Sequence, residues 1–210
     1  MSKLIFTSFA ALSLLALAGC GQNQTDTPVT VVTPPASKST TTATIPAQDT
    51  FLSELRMHCG KTYGGKLVST DPQDSDMAGE AMTITVNCAK NGVRIPFAVG
   101  DNRSRTWVIS KTDTGLRLKH QHNHKDGSED KLSQYGGDTA AKGTGTRQEF
   151  PADGYSIALF LQQGLDVSID NVWAVEITPT IYAYELRRPN RHFRVEFDVT
   201  KPLASPFVPW

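Results

Sequence analysis

An excess of charge of either sign is missing from this 210-residue chain, in which 21 Lys and Arg balance 21 Asp and Glu. The signs alternate rather than cluster, so no chain-wide field exists to hold phosphates, and a polybasic nucleic-acid binder is excluded. Long apolar runs are missing too. The longest, Leu4 to Ala18, spans 15 residues, whereas a helix that crosses a bilayer takes about 20. Cysteine is scarce, at three residues. Complete catalytic motifs are also absent. Around Lys142 a phosphate loop requires Gly before the lysine and Ser or Thr after it, where the chain has Ala141 and Gly143. Gly154-Tyr155-Ser156-Ile157-Ala158 is one residue short of a nucleophile elbow. Asp166 or Asp170 and His192 follow in hydrolase order, but Pro151 opens a helix where the elbow requires a strand.

Residues 1–19 begin Met-Ser-Lys, continue in the apolar run and end in small residues, the make-up of a secretory signal peptide. Leu17-Ala18-Gly19-Cys20 resembles the lipobox of bacterial lipoproteins, whose cysteine is lipidated and becomes the first residue of the mature chain. The resemblance covers these residues alone. It implies a membrane anchor of three acyl chains on Cys20, and at about 0.8 kcal/mol per buried methylene two or more chains hold a protein durably. Gly21 stands where an Asp commonly retains such proteins in the inner membrane of Gram-negative cells. The resemblance therefore implies the outer membrane, with the mature chain facing the periplasm.

Nine Thr, two Ser and four Pro make up half of residues 21–50. Such a mixture cannot offset the ordering entropy of a packed core. Residues 20–48 thus read as an extended linker, and 49–210 as a single globular domain.

Strand patterns dominate that domain. Met82, Ile84, Val86 and Cys88 alternate with polar residues, as do Ile95, Phe97 and Val99, then Trp107 and Ile109. Phe193, Val195, Phe197 and Val199 alternate with His192, Arg194, Glu196 and Asp198, the period of an antiparallel strand with one dry face. Residues 171–178 and 181–187 read as two more strands joined around Pro179. Two short helices are predicted at about 50–59 and 152–163, stopped by Gly60 and Gly164. The expected fold class is mainly β, an antiparallel barrel or sandwich with two short helices. An opening helix, then Tyr63-Gly64-Gly65 and a strand, resembles small ligand-binding barrels of the calycin type. A membrane-spanning barrel is disfavoured by Pro202, Pro206 and Pro209 and by the Arg, Lys and Glu on the wet faces. Residues 135–146 read as a long Gly- and Thr-rich loop over the barrel opening.

With Cys20 lipidated, Cys59 and Cys88 remain, and an oxidising compartment makes them a disulfide pair. Helical and strand parity point both thiols toward one core.

Three of the five histidines fall in one run. Leu116, Leu118, His120, His122 and His124 share a strand face, while Arg117, Lys119, Gln121, Asn123 and Lys125 share the other. The imidazoles therefore continue an apolar row into the interior, where they would line a cavity mouth with Asp126 and Tyr135. Strand neighbours two apart lie roughly 6.6 Å from one another, so His120 and His122 can share a divalent transition metal but His124 hardly joins them. Further ligands would come from His58, His192, Asp126, Glu129 or Asp130. Asp126-Gly127 itself signals a hairpin turn. The mature chain resembles uncharacterised bacterial secreted proteins in Leu118-Lys119-His120, His122, Asp126-Gly127-Ser128 and Tyr135-Gly136-Gly137, a resemblance that implies no activity.

The function expected is that of a lipid-anchored periplasmic binding module, with a His-lined pocket for a small ligand or an envelope component. Two alternatives stand beside it. One is a metal-assisted hydrolase built on the His120, His122 and His124 strand; the other is a structural or assembly lipoprotein with an envelope protein as partner.

Overall fold

The computed structural model describes residues 46–204 and 207–210. The expected signal peptide, Cys20 and the linker as far as residue 45 lie outside the described residues. Helix α1 (Ala47–Arg56) opens the described chain, followed by strands β1 (Thr62–Leu67), β2 (Met82–Thr85), β3 (Asn87–Ala89) and β4 (Gly92–Val99). Then come β5 (Asn102–Lys111), β6 (Leu116–His122), β7 (Tyr135–Asp138), β8 (Arg147–Pro151), helix α2 (Gly154–Gln162), β9 (Val172–Ile177), β10 (Ile181–Arg188) and β11 (Arg191–Leu203). Two 3-10 turns, Pro72–Met77 and Asp166–Ser168, interrupt the longer connections.

All strand pairs are antiparallel, in the order β7-β6-β5-β4-β2-β1-β11-β10-β9-β8, with β3 pairing β4. The sheet curls until its two ends meet, giving a nearly closed antiparallel barrel. The seam carries no ladder of its own. Instead Asp153 N donates to Gly136 O at 2.9 Å, and Gly136 N donates to the buried Ser156 Oγ at 2.7 Å. A Cβ on Gly137 would collide with the carbonyl oxygen of Pro151, so the close approach of β7 requires glycine there. Ser156 is thus a seal on α2 rather than a nucleophile on a strand turn.

The predicted alternation sets the layers. Phe193, Val195, Phe197 and Val199 are buried, as are Trp107, Ile109, Leu116, Leu118, Trp173, Val175, Tyr182 and Tyr184. Outside lies a charge network centred on Glu185, which meets Arg147 at 3.0 Å, Arg187 at 2.6 Å and Arg194 at 3.2 Å. Desolvation would raise the Glu185 carboxyl, but Arg147 and Arg187 outweigh it and hold the group at about 2. Apolar inside and charged outside is the reverse of a lipid-facing barrel.

Helix α1 closes one end of the barrel with Phe51, Leu52 and Leu55. Arg56 Nη2 donates to Ala89 O and Lys90 O, Lys111 pairs with Asp49, and Gln48 Nε2 donates to Thr139 Oγ1 and Ala141 O. These contacts pin α1 across the β3–β4 and β5–β6 turns and the β7–β8 loop.

Several expectations change. The first helix starts and ends three residues earlier than predicted, leaving Cys59 beyond it. The run Met82 to Cys88 is two strands: Thr85 and Val86 are both buried, the parity slips, and Cys88 turns outward. Cys59 and Cys88 do form the disulfide, with Cα atoms 5.5 Å apart, but at the surface rather than in the core. The second helix is shorter, Gly154–Gln162, because Asp153 caps it through Ser156 N. Residues 135–138 pair as β7, so the loop runs only from 139 to 146, and it lies at the α1 end.

Candidate functional site

At the end opposite α1, the barrel interior holds a cavity of about 240 Å³. Its walls are inward side chains of β4, β5, β6, β9, β10 and β11, closed laterally by Phe160 of α2 and Leu132. Trp107 stacks on Tyr184 across the barrel with ring centres 4.2 Å apart and on Phe97 of the neighbouring strand β4 at 4.7 Å, forming an aromatic floor.

His120 sits fully inside this wall, its ring stacked on Tyr135 at 4.5 Å and tilted against Trp173 at 5.0 Å. Nδ1 lies 3.0 Å from the Tyr135 carbonyl oxygen, which can only accept, so Nδ1 carries the hydrogen and donates it. Nε2 is then the acceptor for the Tyr184 hydroxyl at 2.7 Å. Burial pushes this imidazole down to about 3, against the pull of the Tyr135 carbonyl. His122 faces the same cavity nearer the mouth, with Nε2 3.1 Å from the Tyr135 hydroxyl. Burial, reinforced by the Arg105 guanidinium, lowers it to about 4. The Tyr135 phenol is pushed up to about 12 by its own burial. At working pH the polar wall is therefore two neutral imidazoles and two neutral phenols.

The mouth is basic. Arg105 pairs in register with His122 across β5 and β6 and lines the cavity, as do Arg188 and Arg191. Arg191 is neutralised: Asp74 accepts from it at 2.6 and 2.5 Å, and Asp71 lies at 3.0 Å. Asp74 is itself buried.

Of the residues predicted from the sequence, His120, His122 and Tyr135 meet in the cavity. His124 and Asp126 do not. β6 ends at His122, so the parity that would turn His124 inward stops there; His124 is exposed, with Nε2 3.6 Å from Asp130 Oδ2. Asp126 is an exposed turn residue whose Oδ1 accepts from Ser128 N at 2.9 Å and from Ser128 Oγ at 2.6 Å. The Asp-Gly turn forms as expected, with Gly127 at a φ of +84°.

Of the His120 and His122 pair expected to share a metal, both nitrogens of His120 and one of His122 meet tyrosines, and among the described residues no three His, Cys, Asp or Glu gather at metal-binding distance. His58 instead bonds the Tyr63 hydroxyl at 2.7 Å, and His192 lies on the outer face near Glu185. Arg105 and Arg188 went unnoticed in the sequence although parity places them: each continues an inward row, two residues before Trp107 and four after Tyr184. No known protein family, curated protein or solved structure matches the chain.

Proposed function

We propose that this chain is a lipid-anchored protein of the bacterial envelope whose barrel binds a small organic ligand in the cavity of His120, His122 and Tyr135. The observation that carries the reading is the cavity itself, an aromatic space of about 240 Å³ into which a few fixed polar groups converge. A dry cavity of about 150 Å³ already accommodates benzene, so this one has room for a ring and a short chain. The neutral His122 imidazole and the two phenols offer hydrogen bonds without the desolvation cost of buried charge. The lipobox residues Leu17-Ala18-Gly19-Cys20 support the anchor, and Gly21 favours the outer membrane with the barrel in the periplasm. The described chain enters at Pro46, beside α1, at the closed end of the barrel.

Native mass spectrometry of the full chain extracted in detergent tests the binding reading. A small bound mass in the wild type, absent from a Leu132→Trp variant that fills the cavity, is the expected result. Identical ligand-free masses for both proteins count against it. For the anchor, Cys20→Ser is expected to abolish labelling by radioactive palmitate and release the protein from the membrane fraction.

A further inference from the structure

The binding reading leaves the chemical class of the ligand open, and the inference here rests on that reading. In a barrel the inward parity is apolar, and a guanidinium placed on it requires a partner. Arg147, Arg187, Arg191 and Arg194 all have carboxylates. Arg105 does not: among the described residues it has neither a carboxylate within 4.0 Å nor a side-chain hydrogen bond, although it is half-buried on the cavity wall. Asp130, whose charge acts on His122 and Tyr135 together with that of Arg105, accepts from Leu132 N at 2.7 Å and lies 3.6 Å from His124.

Next to Arg105, paired with it across the sheet, is His122. The Tyr135 hydroxyl takes Nε2 of that ring, while Nδ1 has no partner among the described residues. With the hydroxyl donating, Nδ1 carries the hydrogen and is free to donate it. A guanidinium fork and an N–H donor therefore stand side by side at the mouth, above walls formed by Trp107, Trp173, Tyr135, Tyr184 and Phe160. One guanidinium matches the two oxygens of a carboxylate, and the walls match a flat ring.

We infer that the ligand is a small organic monocarboxylic acid with an aromatic body, its carboxylate held by Arg105 and His122 Nδ1–H and its ring inserted toward Trp107 and Trp173. Arg188, whose side chain meets only Asn171 Oδ1 at 3.3 Å among the described residues, adds a second positive charge at the rim.

Isothermal titration calorimetry of the full chain in detergent, with 3-phenylpropanoate and its uncharged amide as probes, tests this. The acid is expected to bind the wild type about tenfold or more tightly than the amide. Arg105→Gln is expected to bring the acid down to the affinity of the amide while leaving amide binding intact, which also shows that the variant is folded. Should Arg105→Gln bind neither probe, Arg105→Lys supports the inference by keeping the preference for the acid and overturns it by losing that preference. Persistence of the preference in Arg105→Gln overturns the assignment to Arg105. Equal binding of acid and amide by the wild type, both abolished by Leu132→Trp, overturns the anion inference and leaves the pocket reading standing. Binding of neither probe by the wild type at millimolar concentration overturns both.

Discussion

The Tyr184 hydroxyl donates to Nε2 of His120 across the barrel interior at 2.7 Å, joining β10 to β6 where no backbone pairing connects them. A buried imidazole with both nitrogens bonded is a fixed, uncharged part of the wall, and this relationship gives the cavity its chemistry. Its neutrality has a thermodynamic signature.

In the unfolded chain both histidines take up a proton below roughly pH 6.5. In the fold His120 and His122 resist protonation down to about 3 and about 4. Between these limits the unfolded state binds more protons, so stability rises with pH, by roughly 1.4 kcal/mol per pH unit for each histidine. The contribution is complete above roughly pH 6.5 and is lost as the pH falls toward the folded values. Urea denaturation from about pH 4 to 7 is expected to give a steeper dependence in the wild type than in a His120→Gln, His122→Gln double variant. Parallel curves would show that the rings are not held neutral.

The seam between β7 and α2 gives a second prediction. Ser156→Ala leaves the buried Gly136 N–H without its acceptor, a loss of about 1 to 3 kcal/mol. Gly137→Ala forces a Cβ into the Pro151 carbonyl and is expected to cost about 2 kcal/mol or more. Denaturation midpoints of both variants equal to the wild type would mean that the barrel does not close there.

Reduction of Cys59–Cys88 opens a cross-link between residues 29 apart in sequence. The chain-entropy model assigns such a bridge about 3 to 4 kcal/mol. Because the sulfurs lie at the surface, Cys59→Ser with Cys88→Ser is expected to lower thermal stability without disturbing the core or the cavity. An unchanged melting temperature would argue that the two cysteines are not bridged.

Tyr182 carries the opposite expectation. Its hydroxyl is buried and has no hydrogen-bond partner among the described residues, while its ring packs 5.9 Å from Phe197. Tyr182→Phe keeps the ring and removes the unmet polar group, so stability is expected to increase by about 1 kcal/mol or more. A loss of similar size in equilibrium unfolding would reveal a partner for that hydroxyl.

Alternation made part of the barrel legible before any coordinates: β11 follows the apolar parity of the sequence closely, as does β6 as far as His122, while β9 and β10 are legible from their Val, Ile, Trp and Tyr content. Parity fails where a strand ends or slips. It placed His124 inward past the end of β6, and Cys88 inward across the irregularity at Val86. The seam and the mouth were less legible because both depend on contacts between residues distant in sequence, such as Ser156 with Gly136 and Arg191 with Asp74, 117 residues away. Arg105 was within reach. An arginine on the dry side of a strand, two residues before Trp107, is itself a signal.

The central claim is that His120 and His122 turn neutral rings into an interior cavity. Side-chain nitrogen NMR of the histidine-labelled full chain, followed by titration from pH 8 to about pH 5, addresses it directly. The account predicts that both rings remain uncharged throughout, with His120 in the Nδ1–H form. Titration of either ring near the ordinary value of about 6.5 would put it in bulk water and contradict the account.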